Sequence, residues 1–78
     1  MSNHSTKYNV LQTRRGHVVM SPDAELIGGG LERDEAILIA KTLNGEGSIS
    51  ALSDWLTTPR GAQSGRGVQR HLDQMSAA

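Results

Sequence analysis

The sequence predicts a small α+β fold, with an N-terminal antiparallel β-hairpin and a short third strand packed on two or three α-helices. Three observations predict it. Two runs rich in strand formers, residues 8–13 and 17–21, flank Arg14-Arg15-Gly16. Apolar residues recur at helical spacing through Ala36, Ile37, Ala40 and Leu43. Two later segments, 48–57 and 66–76, each gather their apolar residues on one helical face. The 78 residues fit one domain, 1–78, comprising a disordered polar tail over 1–6, a hairpin over 8–21, and helices over 32–44, 48–57 and 66–76.

In the hairpin, a three-residue loop ending in Gly16 suits a position of positive φ. It sets Leu11 opposite Val19 and Val10 opposite Met20, and leaves Arg14 and Arg15 at an exposed tip. Pro22-Asp23 is a turn signal, and residues 24–27 read as a short third strand. Gly28-Gly29-Gly30 is expected to break regular structure and act as a hinge. Glu32, Asp34 and Glu35 place negative charge at the start of the first helix, where the helix dipole favours it, and Asn44-Gly45 ends it. Ser48 caps the second helix, whose inner face carries Ile49, Leu52 and Leu56 with Trp55 beside them. Thr58-Pro59 stops that helix, and residues 59–65 read as a loop of small polar residues, Gly and Pro. Val68, Leu72 and Met75 form the stripe of the last helix.

A chain of this length buries about 60–65% of the surface its unfolded form exposes. Nearly every long apolar side chain is therefore expected in the core, from Val10 and Leu11 to Met75. The core is also expected to leave no walls for an enclosed ligand cavity. Dimerisation is one way to extend so small a core.

The absence of cysteine excludes disulfides, zinc–thiolate sites and thiol catalysis. A domain this small in an oxidising compartment usually carries disulfides, so the expected location is cytoplasmic. Residues 1–7 lack the apolar stretch of a secretory leader, and no apolar run approaches the ~18–20 residues of a membrane span. The formal net charge is zero but unevenly placed. Residues 1–19 hold Lys7, Arg14 and Arg15 and no acid. Residues 20–56 are strongly acidic, and residues 57–78 hold Arg60, Arg66 and Arg70 against Asp73. Such segregation points to separate basic and acidic surfaces.

No catalytic, metal or cofactor site is expected. His4, His17 and His71 share no metal-ligand spacing. The serines fall at caps and turns, and the glycine run lacks both phosphate-loop patterns. The helix start behind it is acidic and would repel a phosphate. Arginine and aromatic side chains are favoured interface anchors. Arg14, Arg15, Arg60, Arg66, Gln69 and Arg70 are therefore the candidate partner-binding residues. Trp55 is expected to be a core residue beside Leu52 and Leu56. The acids Glu32, Asp34, Glu35 and Glu46 are expected to do no more than face solvent and match the dipole.

Two resemblances cover the C-terminal part. Leu52, Trp55, Gly65-Arg66 and the closing amphipathic helix resemble the C-terminal part of a small phage-encoded anti-CRISPR inhibitor. That resemblance implies a non-enzymatic regulator or inhibitor acting on another protein or nucleoprotein complex. Over the same residues, the pattern Ile49, Leu52, Leu56 followed by Val68-Gln69-Arg70-His71-Leu72 resembles the helix-turn-helix of small bacterial regulators. This alternative implies DNA contact through Gln63, Ser64, Arg66, Gln69 and Arg70, whose chemistry suits base edges and phosphates.

Overall fold

The computed structural model describes residues 7–76, so the expected disordered tail over 1–6 lies outside the described residues. Three strands form one antiparallel sheet in the order β1-β2-β3: β1 is Asn9–Thr13, β2 Gly16–Met20 and β3 Leu26–Leu31. Four helices follow: α1 Arg33–Leu43, α2 Ile49–Leu56, α3 Pro59–Ser64 and α4 Arg66–Ser76. The α+β class read from the sequence is the fold observed.

The hairpin register differs from expectation by one residue. Val10 pairs with Val19 and Leu11 with Val18, because the turn is the two-residue Arg14-Arg15 and Gly16 already pairs with Thr13. The Thr13 hydroxyl closes this turn, accepting from the Arg15 amide at 3.2 Å and donating to the Gly16 carbonyl at 2.8 Å. Gly16 does take a positive φ of 125°, as a strand residue. A Cβ there would lie 2.9 Å from the Leu31 carbonyl oxygen, so the close approach of β3 excludes any other residue. A shift of one residue moves a strand's side chains to the opposite face. Leu11 accordingly shares a face with Val18 and not with the buried Val19.

The third strand begins later and runs longer than expected, and the glycine run is part of it. Two irregularities bend β3 against β2. Val18 stands opposite the Gly29-Gly30 pair, and a second register shift separates the Val19–Gly28 and Met20–Leu26 pairs. The hinge expectation fails because the run is held in β3 by pairing with β2, and Gly28 alone of the three is closely packed. A Cβ on Gly28 would lie 3.2 Å from Leu31 Cδ1 and 3.5 Å from Val68 Cγ2 on α4. The Pro22-Asp23 turn forms as expected. Ser21 exchanges backbone bonds with Ala24 and Glu25, its hydroxyl accepts from the Glu25 amide at 3.0 Å, and Ala24 holds a φ of 65°.

Helix α1 starts at Glu32, whose amide donates to Glu35 Oε1 at 2.8 Å, satisfying one of the orphan N–H groups of a helix start. Ser48 caps α2 by accepting from the Ala51 amide at 3.2 Å. Residues 59–64, expected as loop, are helical. Thr58 caps them, accepting from the Gly61 amide at 3.0 Å, and Pro59 occupies the first helical position, where its missing N–H costs nothing. Gly61 lets this short helix turn back on α2: a Cβ there would fall 2.9 Å from Leu56 Cα.

The helices cover one face of the sheet. Helix α1 packs on all three strands, and α3 and α4 pack on β3. The molecule measures 41 × 34 × 20 Å, and its shortest dimension matches one sheet layer on one helix layer, roughly 10 Å each. The buried core is Val19, Ile27, Leu31, Ala36, Ile39, Ala40, Leu52 and Val68. Half-buried Tyr8, Val10, Leu43, Trp55, Leu56 and Leu72 pack around it. The expectation that nearly all long apolar side chains enter the core is corrected: Leu11 is 51% exposed, Leu26 59%, Ile49 68% and Met75 52%. The off-by-one register and the bulges of β3 turn the first two of these outward.

Candidate functional site

Arg60, a candidate for partner contact, is engaged within the molecule. Its Nε donates to Glu35 Oε2 at 2.6 Å, and its Nη2 donates to the Gly30 carbonyl at 3.3 Å. The Trp55 indole N–H donates to the same Glu35 oxygen at 3.0 Å, while the other oxygen accepts from the Glu32 amide. One carboxylate thus joins α1, α2 and α3, the charge-assisted kind of hydrogen bonding that holds geometry most firmly. Burial alone would raise the Glu35 pKa, but the Arg60 guanidinium, the Glu32 amide and the Trp55 indole together hold it below the usual carboxylate range. Glu35 is therefore a correction to the expected solvent-facing acids, since its side chain is 10% exposed. Trp55 packs against the core as expected, and is also hydrogen-bonded.

A second polar set fastens the start of the sheet. The Asn44 side chain, just past α1, accepts from the Tyr8 amide at 2.7 Å and donates to the Tyr8 carbonyl at 3.2 Å, much as a neighbouring strand would. The Tyr8 hydroxyl lies 2.6 Å from His71 Nε2 on α4, with the two rings edge to face at 5.5 Å. Burial, and secondarily the Asp23 charge, raise the Tyr8 pKa, which keeps the phenol neutral.

The remaining arginines are exposed. Arg14 and Arg15 form the hairpin tip, while Arg66 and Arg70 stand on α4. Gln69, also on α4, donates to Asp73 Oδ1 at 3.1 Å. The six candidates therefore divide into a pair at the tip, a set on α4, and Arg60 tied to the interior. Of the residues a DNA-reading helix would use, Gln63 is exposed within α3 and Ser64, which ends α3, is half-buried. A helix occupies the stretch that a helix-turn-helix would leave as its turn.

Between α2 and α4 lies a shallow apolar hollow of about 200 Å³, lined by Ile49, Leu52, Ser53, Leu56, Gln69 and Leu72. It meets a second hollow of about 150 Å³, bounded by Leu56, Gly61, Ala62, Gly65, Arg66 and Gln69. The two share Leu56 and Gln69 and form one groove along α4, with Arg66 at its end. The inner-face pattern of Ile49, Leu52 and Leu56 was visible in the sequence, but not that Ile49 would remain outside. Among the described residues, no group of three or more His, Cys, Asp or Glu side chains is placed to hold a metal ion, and no helix is long and apolar enough to cross a membrane. No protein-family model matches the chain, and no curated protein or solved structure matches it.

Proposed function

We propose that this chain is a non-enzymatic regulator or inhibitor that works by seating the α2–α4 groove on another protein or nucleoprotein complex. The observation that carries this reading is the groove itself. Ile49 is 68% exposed, yet it lines a hollow with Leu52, Leu56 and Leu72. Scattered apolar side chains on a surface are ordinary, whereas apolar side chains gathered around a concavity and rimmed by polar groups are the layout of a contact site. Arg66 at its end, with Arg70 one turn further along α4, selects a partner segment that offers an apolar side chain next to an acidic one. A DNA backbone would satisfy the arginines and leave the apolar hollow unused, so a protein surface fits better. Action on a larger complex, as in the phage inhibitors that the C-terminal residues resemble, is one use of such a surface.

The test is quantitative capture from a bacterial lysate, with wild type, Ile49→Glu and Arg66→Glu/Arg70→Glu as parallel baits of verified fold. The reading expects one protein or complex near stoichiometric amounts on the wild type and at least about tenfold less on both variants, the equivalent of about 1.4 kcal/mol. Equal recovery on all three baits contradicts it. So does duplex DNA binding that falls steeply with salt and is insensitive to Ile49→Glu, which would restore the DNA alternative.

A further inference from the structure

The groove lies on the helical side, and the other side of the molecule carries a different surface. Strand alternation places Leu11, Val18, Met20 and Leu26 on the sheet face away from the helices: Leu11 pairs with Val18, Met20 pairs with Leu26, and Val19 between them is fully buried on the opposite face. Leu11 and Leu26 are each more than half exposed, and among the described residues no helix packs on this face. The face has a polarity along the strands. At one end is the β1–β2 turn with Arg14 and Arg15, and at the other is the β2–β3 turn with Asp23 and Glu25.

We infer that this face pairs with the same face of a second copy, in a two-fold dimer whose axis runs across the strands. That axis reverses the strand direction, so Arg14 and Arg15 of each copy lie over Asp23 and Glu25 of the other. A two-fold interface must be self-complementary, and a face with opposite charges at its two ends and an apolar middle meets that requirement. The two turns are offset sideways by one strand spacing, about 4.8 Å, well within the reach of an arginine side chain. The apolar middle supplies the attraction, and the charged ends set the orientation, because exposed ion pairs contribute little affinity but penalise the reversed arrangement. Two sheets packed face to face at about 10 Å would also give this thin molecule a second core layer. Three short strands present less than the roughly 800 Å² per partner of a standard interface, so the dimer should be concentration-dependent. Both α2–α4 grooves remain on the outside, and the inference does not depend on what they bind.

Sedimentation equilibrium on the full chain tests this. Wild type should move from about 8.4 kDa toward twice that mass as concentration rises to about 0.5 mM. Leu11→Glu should remain monomeric with an unchanged far-ultraviolet spectrum. Arg14→Glu/Arg15→Glu has two acidic ends and Asp23→Arg/Glu25→Arg two basic ones, so each alone should associate more weakly than wild type. An equimolar mixture of the two should form a 1:1 heterodimer. A wild type still monomeric at the highest concentration overturns the inference. So does a dimer indifferent to Leu11→Glu, or a mixture no more associated than its components.

Discussion

The two faces of the sheet are built from the same three strands and are almost equally apolar, yet they have opposite fates. Val19, Ile27 and Leu31 point at the helices and are at most 3% exposed. Leu11, Val18, Met20 and Leu26 point away and keep contact with water. The inner set also packs against Ile39, Leu52 and Val68 from three different helices, so its burial is secured by elements distant in sequence. The comparison teaches that a short chain need not devote all its apolar side chains to its own core. Apolar content left outside a closed core is available for contact with something else.

The comparison breaks first at the core. Ile39→Ala should cost about 2–5 kcal/mol, enough to threaten folding in a domain this small, and urea denaturation followed by circular dichroism would measure it. Next comes the carboxylate that ties three helices. Glu35→Gln removes the charge that Arg60 and Trp55 bind, at about 1–3 kcal/mol, because solvent screens the exposed Arg60. Because the folded-state pKa of Glu35 is lowered, its contribution is fully present above the ordinary value of 4.5 and is lost as pH falls below that through the folded value. Urea midpoints between pH 6 and 3 should therefore fall less steeply for Glu35→Gln than for wild type. A parallel decline would show that Glu35 is not linked to folding. A smaller loss, about 0.5–1.5 kcal/mol, is expected from Tyr8→Phe, which keeps the ring and gives up the bond to His71.

The legible part of the fold was its local part. Ser48 caps α2, the acidic start and Asn44-Gly45 end mark α1, and the strand formers on either side of Arg14-Arg15 mark the hairpin, because each signal acts within a few residues. Residues 59–64 carried a readable signal too: Thr58-Pro59 is a helix start as well as a stop, and the Gly-rich composition behind it pointed the other way. The strand state of Gly28-Gly29-Gly30 was not local. It follows from pairing with β2 and from the room that Gly28 leaves for Val68 of α4, which depend on where distant elements land. The register slip was equally hidden, since a two-residue and a three-residue turn share the same three letters and differ in which face Leu11 takes. Of the candidate contact residues, Arg14, Arg15, Arg66 and Arg70 are exposed as read. Arg60 is committed to Glu35 by a pairing 25 residues apart that no spacing rule reports.

The central claim is that the outward apolar residues of the sheet do not hold the monomer together. The direct measurement is the urea midpoint of Leu11→Thr/Leu26→Thr at low micromolar concentration, where self-association is absent, beside wild type. Threonine keeps strand propensity and removes most of the apolar surface. The double variant should have a stability within about 0.5 kcal/mol of wild type, as for ordinary surface positions. A loss of 2 kcal/mol or more, comparable to the core substitution, would contradict it.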